Sequence, residues 1–358
     1  MTHCDETVSF DLGGGASIPR QLTRLGRVIP VFAAQHVEAA VSPERALTAV
    51  RAAFVAYARG EWSMPPKVYV GAYPAGDFRA MPALGAGHAL LKWVTSFPGN
   101  PALGLPTVTG LVLLSDATNG MLRAAFDAAS VTALRTGAAA VLAAEELGRR
   151  DARSAAVIGA GVNGRAAART FLARGRNVVL WDLDAERASQ AAAELGAGVA
   201  GDREEALSAD LLVTMTPGHE VLLAPGSLWP GQHVSLMGAD GPGKAEIAVE
   251  ELARARVFPD DWEQASRNLV PEPRVRLFAD DWEQASHNGD LAQAVEVGTI
   301  TRDDVTQLGD VLAGTAPSRQ HDDDITIFDS TGLAIQDLAI ALAAMRRANE
   351  LDLPMLDL

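Results

Sequence analysis

The chain has 358 residues, enough for two domains, with 48% hydrophobic and 21% charged residues, a composition that supports substantial cores. A formal charge of −15 argues against nucleic acid or an anionic membrane as the main partner, although a local basic pocket for a small anion remains open. Cys4 is the single cysteine, which excludes an intrachain disulfide and a cysteine zinc cluster, and no apolar run approaches the roughly 20 residues of a membrane span. The opening MTHCDETVSF lacks a signal-peptide pattern, so a cytoplasmic protein is expected.

In chain order, RVIPVF reads as a strand and SPERALTAVRAAFVAYARG as a helix, with Ser42 as N-cap and Glu44 in the first turn. KVYVGAY, HALLKWVTSF, TGLVLLSD and MLRAAF read as strands, the last two joined by a turn at ATNG. The Ala-rich VTALRTGAAAVLAAEELG reads as a helix ending at Gly148. From Ser154 the rhythm changes to short apolar strands alternating with helices: AAVIG, NVVLW, DLLVTM and HVSLM. That alternation predicts a parallel, doubly wound sheet with crossover helices. TGLAIQDLAIALAAMRRANE reads as a long C-terminal helix whose apolar face packs back onto the first domain. RARVFPDDWEQASRN, from Arg254, recurs as RVRLFADDWEQASHN, from Arg274. Two copies are too few for a solenoid, so this reads as a local tandem duplication without a catalytic role.

VIGAGVNGRAAART places Gly159, Gly161 and Gly164 in G-x-G-x-x-G spacing between a strand and a helix. NVVLWD then puts Asp182 at the end of the next strand. In that context the glycines let backbone approach a pyrophosphate at the helix N-terminus, and Asp182 accepts from the adenosine ribose hydroxyls. An acid there repels a 2′-phosphate, which favours NAD over NADP; Arg187 lies close in sequence and moderates that preference. Strands ending at Met215 and Met237 deliver Thr216 and Asp240 to the carboxyl edge of the sheet, where ligands of such folds lie. Asp240, in GADGPGK, is either a turn former or an acid–base group facing the nicotinamide end of the crevice.

The motifs GDFRAMPA, LLKWVTSFPGNPALGLPTV, VTALRTGAAA, VIGAGVNG, GADGPGKAE, ADDWEQASHNGDL and IFDSTGLAIQD resemble the ornithine cyclodeaminase/mu-crystallin family over nearly the whole chain. The resemblance implies an α/β fold: a Rossmann doubly wound parallel sheet at residues 151–330, plus an α+β substrate-binding and dimerisation domain at 1–150 completed by 331–358. It also implies a homodimer, NAD(P) as cofactor, and α-amino or α-imino carboxylates as substrates. By resemblance, Lys92 contacts the substrate carboxylate or carbonyl, and Asp240 is the catalytic aspartate. Arg135 reaches the cofactor phosphates; Thr216, Lys244 and Ser330 line the cofactor, with Val162 and Asn163 in the glycine-rich turn. Ornithine cyclodeaminases carry a glutamate where this chain has Arg79, so GDFRAMP looks like the alanine dehydrogenase branch, whose arginine binds the substrate carboxylate. Lys67 replaces the arginine that many relatives carry, and a lysine lacks the bidentate fork.

The residues alone leave alternatives. Lys92 in an apolar run is costly unless paired or functional, but a lysine on an edge strand can snorkel. Arg135 is either functional or one half of a structural ion pair, and the HDDD run at His321–Asp324 reads as a solvated loop. The function that follows is an NAD-dependent oxidoreductase acting at the C–N bond of a small α-amino acid or its imine. The alternatives are a redox-neutral cyclodeaminase and a mu-crystallin-like small-ligand-binding protein.

Overall fold

A computed structural model describes residues 28–217, 221–239, 244–259, 290–296, 298–301 and 304–358. The N-terminal half builds a mixed sheet from Val28–Phe32 (β1), Val68–Ala72 (β2), Gly76–Gly85 (β3), His88–Ser96 (β4), Val108–Asp116 (β5) and Leu122–Asp127 (β6). Four helices of the first half of the chain pack around it and beyond: Ala34–Ala40 (α1), Pro43–Ala58 (α2), Ala128–Leu147 (α3) and Val162–Ala173 (α4). Ser42 caps α2 as expected, accepting from the Arg45 amide at 3.4 Å. The motif GDFRAMPALG, not read as an element from its pattern, is the ten-residue β3, paired antiparallel with both β2 and β4. Its centrality settles one alternative: β4 is an interior strand, flanked by β3 and β5, so Lys92 does not lie at a sheet edge.

The second sheet is wholly parallel. Its strands are Ala155–Ile158 (β7), Val178–Trp181 (β8), Gly198–Val199 (β9), Leu211–Thr214 (β10), His233–Leu236 (β11), Arg256–Pro259 (β12) and Thr326–Asp329 (β13). The order β12-β13-β11-β10-β7-β8-β9 reverses direction after the central β7, as a doubly wound sheet requires. Ala185–Leu195 (α5), Arg203–Leu207 (α6), Val249–Leu252 (α7), Leu291–Glu296 (α8) and Leu308–Ala313 (α9) are the further helices described here. β10 and β11 stop one residue short of Met215 and Met237. The first copy of the duplicated segment supplies β12, paired parallel with β13; residues 260–268 of that copy and the whole of the second lie outside the described residues. The HDDD run forms a loop before β13, in which the Asp324 carboxylate accepts the Gln320 and His321 amides at 3.0 Å each.

The C-terminal helix is Ala334–Met345 (α10), shorter than its apolar pattern, and a last strand, Met355–Asp357 (β14), pairs antiparallel with β1. α10 packs on α2, α3 and β3, the return to the first half that its composition predicts. α3 bridges the two sheets. Capped by Asp127, which accepts from the Ser130 amide at 2.7 Å, it approaches α4 so closely that a Cβ on Gly137 would lie 2.6 Å from the Ala166 carbonyl carbon. An Ala-rich sequence is what such an approach demands.

Candidate active site

Strand alternation turns Lys92 inward. Along β4, Leu90, Lys92 and Val94 are buried while Leu91 and Trp93 face outward. Lys92 is only 1% exposed and forms an ion pair at 2.8 Å with Asp337 of α10, which is wholly buried. Its Nζ also donates to Thr132 Oγ1 of α3 at 3.3 Å. Burial pushes the Lys92 ammonium down to about 8; Asp337 opposes that fall, and Arg135 and Lys67 add to it.

Arg135, one turn along α3 from Thr132, donates to Gln336 Oε1 at 3.2 Å and lies 3.6 Å from Asp337 Oδ1. Gly332 has φ +86°, and a Cβ there would lie 2.5 Å from Arg135 Nη1, so a glycine leaves the guanidinium its room. Lys67 donates to the Thr331 carbonyl at 2.9 Å. Arg79 of β3 is gripped by Asp77 through Nε at 2.6 Å and Nη2 at 3.2 Å, with the Tyr69 ring 5.4 Å from its Cζ. These four cations line one cleft of about 80 Å³, together with Asn163 of α4 and Ser330. The space suits a small molecule, since a water takes about 30 Å³ of liquid.

The glycine-rich turn adjoins this cleft through Asn163. Gly159 has φ +102°, and a Cβ there would meet the Met215 carbonyl oxygen at 2.5 Å. A Cβ on Gly164 would fall 1.7 Å from the Gly159 carbonyl oxygen, whereas one on Gly161 meets nothing within 4 Å. Gly161 is therefore where open space faces the N-terminus of α4, which has no side-chain cap, and Val162 beside it is 69% exposed. These features fit a dinucleotide pyrophosphate. Asp182 closes the turn: Oδ2 accepts the Ala160 amide at 2.8 Å, and Arg187 Nη1 donates to Oδ1 at 3.2 Å.

A second buried acid organises the carboxyl edge of the parallel sheet. Glu246, fully buried, accepts from Thr214 Oγ1 at 2.6 Å and Thr216 Oγ1 at 2.5 Å, and from the amides of Thr216 at 3.2 Å and Gly238 at 2.9 Å. It thus ties Thr216, after β10, to Gly238, after β11, and to its own segment beginning at the half-buried Lys244. Asp290 Oδ1 accepts the amides of Glu246 and Ile247, while its Oδ2 has no hydrogen-bond partner. Burial raises both carboxyls, and the Glu246 charge pushes Asp290 further, well above the usual range. Four donors on Glu246 and a bare oxygen on Asp290 make Glu246 the ionised member and Asp290 the protonated one. Asp240, two residues beyond Gly238, lies outside the described residues.

Lys67, Arg79, Lys92, Arg135, Asn163 and Ser330 thus share one cleft, while Gly159 and Gly161 lie in the glycine-rich turn, Val162 and Gly164 in the first turn of α4, and Asp182, Thr216 and Lys244 in loops outside the cleft lining. Sequence reasoning passed over Asp77, Glu246, Asp290 and Asp337. Asp337 had a usable signal, an acid inside the apolar AIQDLAIALAAM, the same signal that picks out Lys92.

Residues 29–268 and 272–351 match the model of the ornithine cyclodeaminase/mu-crystallin family, and the chain belongs to that family. It is 38% identical to an alanine dehydrogenase of Archaeoglobus fulgidus over 89% of this chain and 94% of that one. An iminosuccinate reductase of Paracoccus denitrificans is 32% identical over 89% of this chain and 96% of its own length. Among solved structures, an archaeal alanine dehydrogenase dimer with bound NAD superposes with a TM-score of 0.82 at 36% identity, covering 92% of this chain and 99% of that one.

Gln at position 246 would place an amide NH₂ against an amide N–H whichever way it turned, because each Glu246 oxygen already faces one. Glu246→Gln should therefore cost about 1–3 kcal/mol of stability by chemical denaturation. A variant as stable as the parent protein would show that Glu246 does not hold the sheet edge.

Proposed function

We propose that this protein is an NAD-dependent oxidoreductase acting on the C–N bond of a small α-amino acid or the corresponding imine. The observation that carries the reading is the convergence of Lys67, Arg79, Lys92 and Arg135 on one small cleft beside the glycine-rich turn. A carboxylate is the group such a set neutralises. The similarity to an alanine dehydrogenase and an iminosuccinate reductase supports the same chemistry.

NAD, when bound at the turn, supplies the hydride acceptor. Gly159, Gly161, Val162, Asn163 and Gly164 hold its pyrophosphate with Arg135, Asp182 takes the ribose hydroxyls, and Thr216, Lys244 and Ser330 line the remainder. Lys92, Arg79 and Lys67 fix and neutralise the substrate carboxylate; Asp77 orients the Arg79 fork for that purpose. Asp240 takes the amine proton, or the proton of the water that attacks the imine carbon. Arg79 stands where cyclodeaminases hold a diamine with an acid, which favours the dehydrogenase or reductase over the redox-neutral reading. A screen of amino acids with NAD, and of cyclic imines and keto acids plus ammonia with NADH, tests this directly. Net NADH formation or consumption supports the proposal; a cyclised product without net redox change, or ligand binding without turnover, rejects it.

The functional unit in this reading is a homodimer with a substrate-binding domain of residues 1–150 and 331–358 and an NAD-binding domain of residues 151–330. The outward face of β2, β4 and β5 carries Val68, Val70, Trp93 and Leu111, exposed by 57, 50, 43 and 51%. Trp93 and Leu111 are register partners, so the apolar surface is continuous across strands. A second copy covers it.

Four outcomes follow from these assignments. Asp182→Ala should weaken NAD binding about 10–100-fold, the worth of hydrogen bonds to a charged group, and narrow the gap to NADP. Calorimetry that finds NADP the tighter ligand of the unmodified protein would overturn the role of Asp182. Asp240→Asn should slow turnover by about 10²–10⁴ while NAD affinity changes little. As the pH rises through about 8, Lys92 loses its charge and the KM for the carboxylate substrate should climb; a flat KM up to pH 10 would remove Lys92 from carboxylate binding. Trp93→Glu should weaken the dimer by roughly 30-fold or more, as for a central aromatic anchor, and sedimentation unchanged at low concentration would place the interface elsewhere.

A further inference from the structure

Asp337 belongs to none of the roles assigned above, yet it is the carboxylate on which the cationic cleft converges. Its carboxylate is completely buried in the N-terminal part of α10. Oδ2 lies 2.8 Å from Lys92 Nζ of β4, and Oδ1 lies 3.6 Å from Arg135 Nε of α3. The neighbouring Gln336 takes Arg135 Nη1 through its own Oε1 at 3.2 Å, so two consecutive residues of one helix hold both cations. The fit is close on every side: Gly332 leaves room for the guanidinium, and Ala334 at the start of α10 has its amide 3.1 Å from Met64 Sδ.

We propose that Asp337 is a positioning residue that serves both halves of the site: it holds the Lys92 Nζ at the cleft wall as an ammonium ion and fixes the Arg135 guanidinium beside it. The groups that face Lys92 are Asp337 from α10, Thr132 and Arg135 from α3, and Lys67 from the segment before β2; Arg79, held by Asp77 on β3, lines the same cleft. Of these, Asp337 favours the charged lysine, whereas burial, Arg135 and Lys67 oppose it. Without Asp337, three influences act in one direction and none in the other, so Lys92 would lose its proton near neutral pH. A substrate carboxylate would then meet a neutral amine. Arg135 would simultaneously be freed to swing away from the α4 N-terminus that it adjoins in the cleft.

This inference rests on the reading of Lys92 as a cleft residue, and its test requires neither substrate nor cofactor. Trace acetylation of the intact protein with acetic anhydride reports the neutral fraction of each lysine, because only the free amine attacks the anhydride, displacing acetate and losing its proton. Mass spectrometry of the peptide carrying Lys92, across pH, should give a midpoint near 8 for the unmodified protein. Asp337→Asn should move that midpoint down by about one to three pH units, the effect of removing an opposite charge in contact. Arg135→Gln should move it in the opposite direction, and this second variant keeps the test decisive if Asp337→Asn folds poorly. A merely structural role for Asp337 would not produce opposite displacements. Identical midpoints in all three proteins, or no labelling of native Lys92 at any pH, would overturn the proposal. Should the amino-acid reaction proposed above fail while the displacements appear, the cofactor and substrate reading falls and the role of Asp337 stands.

Discussion

The cleft depends on burying an ammonium group that the fold does not otherwise want. At 2.8 Å the attraction between Lys92 and Asp337 is on the order of 6 kcal/mol with an effective dielectric constant of about 20. Desolvating the two ions costs several kcal/mol each. The two magnitudes nearly cancel, so the pair contributes little to stability that a leucine and a methionine would not supply better. What an apolar pair would not supply is a fixed positive charge facing a water-poor cleft. The pair is therefore explained by what it presents to a ligand, and the packing around it by the need to keep that charge.

That constraint reaches across the whole architecture. Lys92 comes from the mixed sheet, Asp337 from the C-terminal helix, and Arg135 from the helix that packs against the parallel sheet through α4. Holding the three side chains together fixes the two sheets relative to each other at the point where the glycine-rich turn opens. Glu246 is a second buried carboxylate, at the carboxyl edge of the parallel sheet, held by two amides and two hydroxyls from the ends of β10 and β11. The cleft thus concentrates positive charge held by a carboxylate, whereas the sheet edge holds a carboxylate by neutral dipoles.

β7, β8, β10 and β11 of the parallel sheet were readable because short apolar runs between turn signals and the G-x-G-x-x-G spacing are local properties; the two-residue β9 and β12 in the duplicated segment were not read as strands. In the mixed sheet the longest strand was missed. β3 alternates small, aromatic and charged residues and includes Pro82, so its pattern does not announce a strand, although its pairing with β4 runs unbroken from Asp77 to Gly85. Lys92 and Arg135 stood out because each interrupts an apolar stretch, whereas Arg79 and Lys67 were found through the family resemblance. Asp337 interrupts one equally, but a lone acid carries no sign of which cation it meets when that cation is some 245 positions away in sequence (337 against 92). The role of Glu246 was hidden for a different reason: half of its partners are backbone amides, which every sequence possesses and only a fold directs.

Cofactor choice and turn geometry are linked through Asp182. One of its oxygens accepts the Ala160 amide inside the glycine-rich turn, and the other accepts the Asp184 amide at 2.9 Å. The carboxylate is therefore part of the glycine-rich loop itself and, in the proposed reading, also the group offered to a ribose. Arg187, the residue whose sequence position moderates the preference for NAD, is held by both Asp182 and Asp184 at 3.2 Å. A guanidinium engaged by two carboxylates has little attraction left to offer a 2′-phosphate, and that phosphate would also approach the two negative charges. In the proposed reading, the arginine that moderates the preference in sequence is thus drawn into the group that would enforce it.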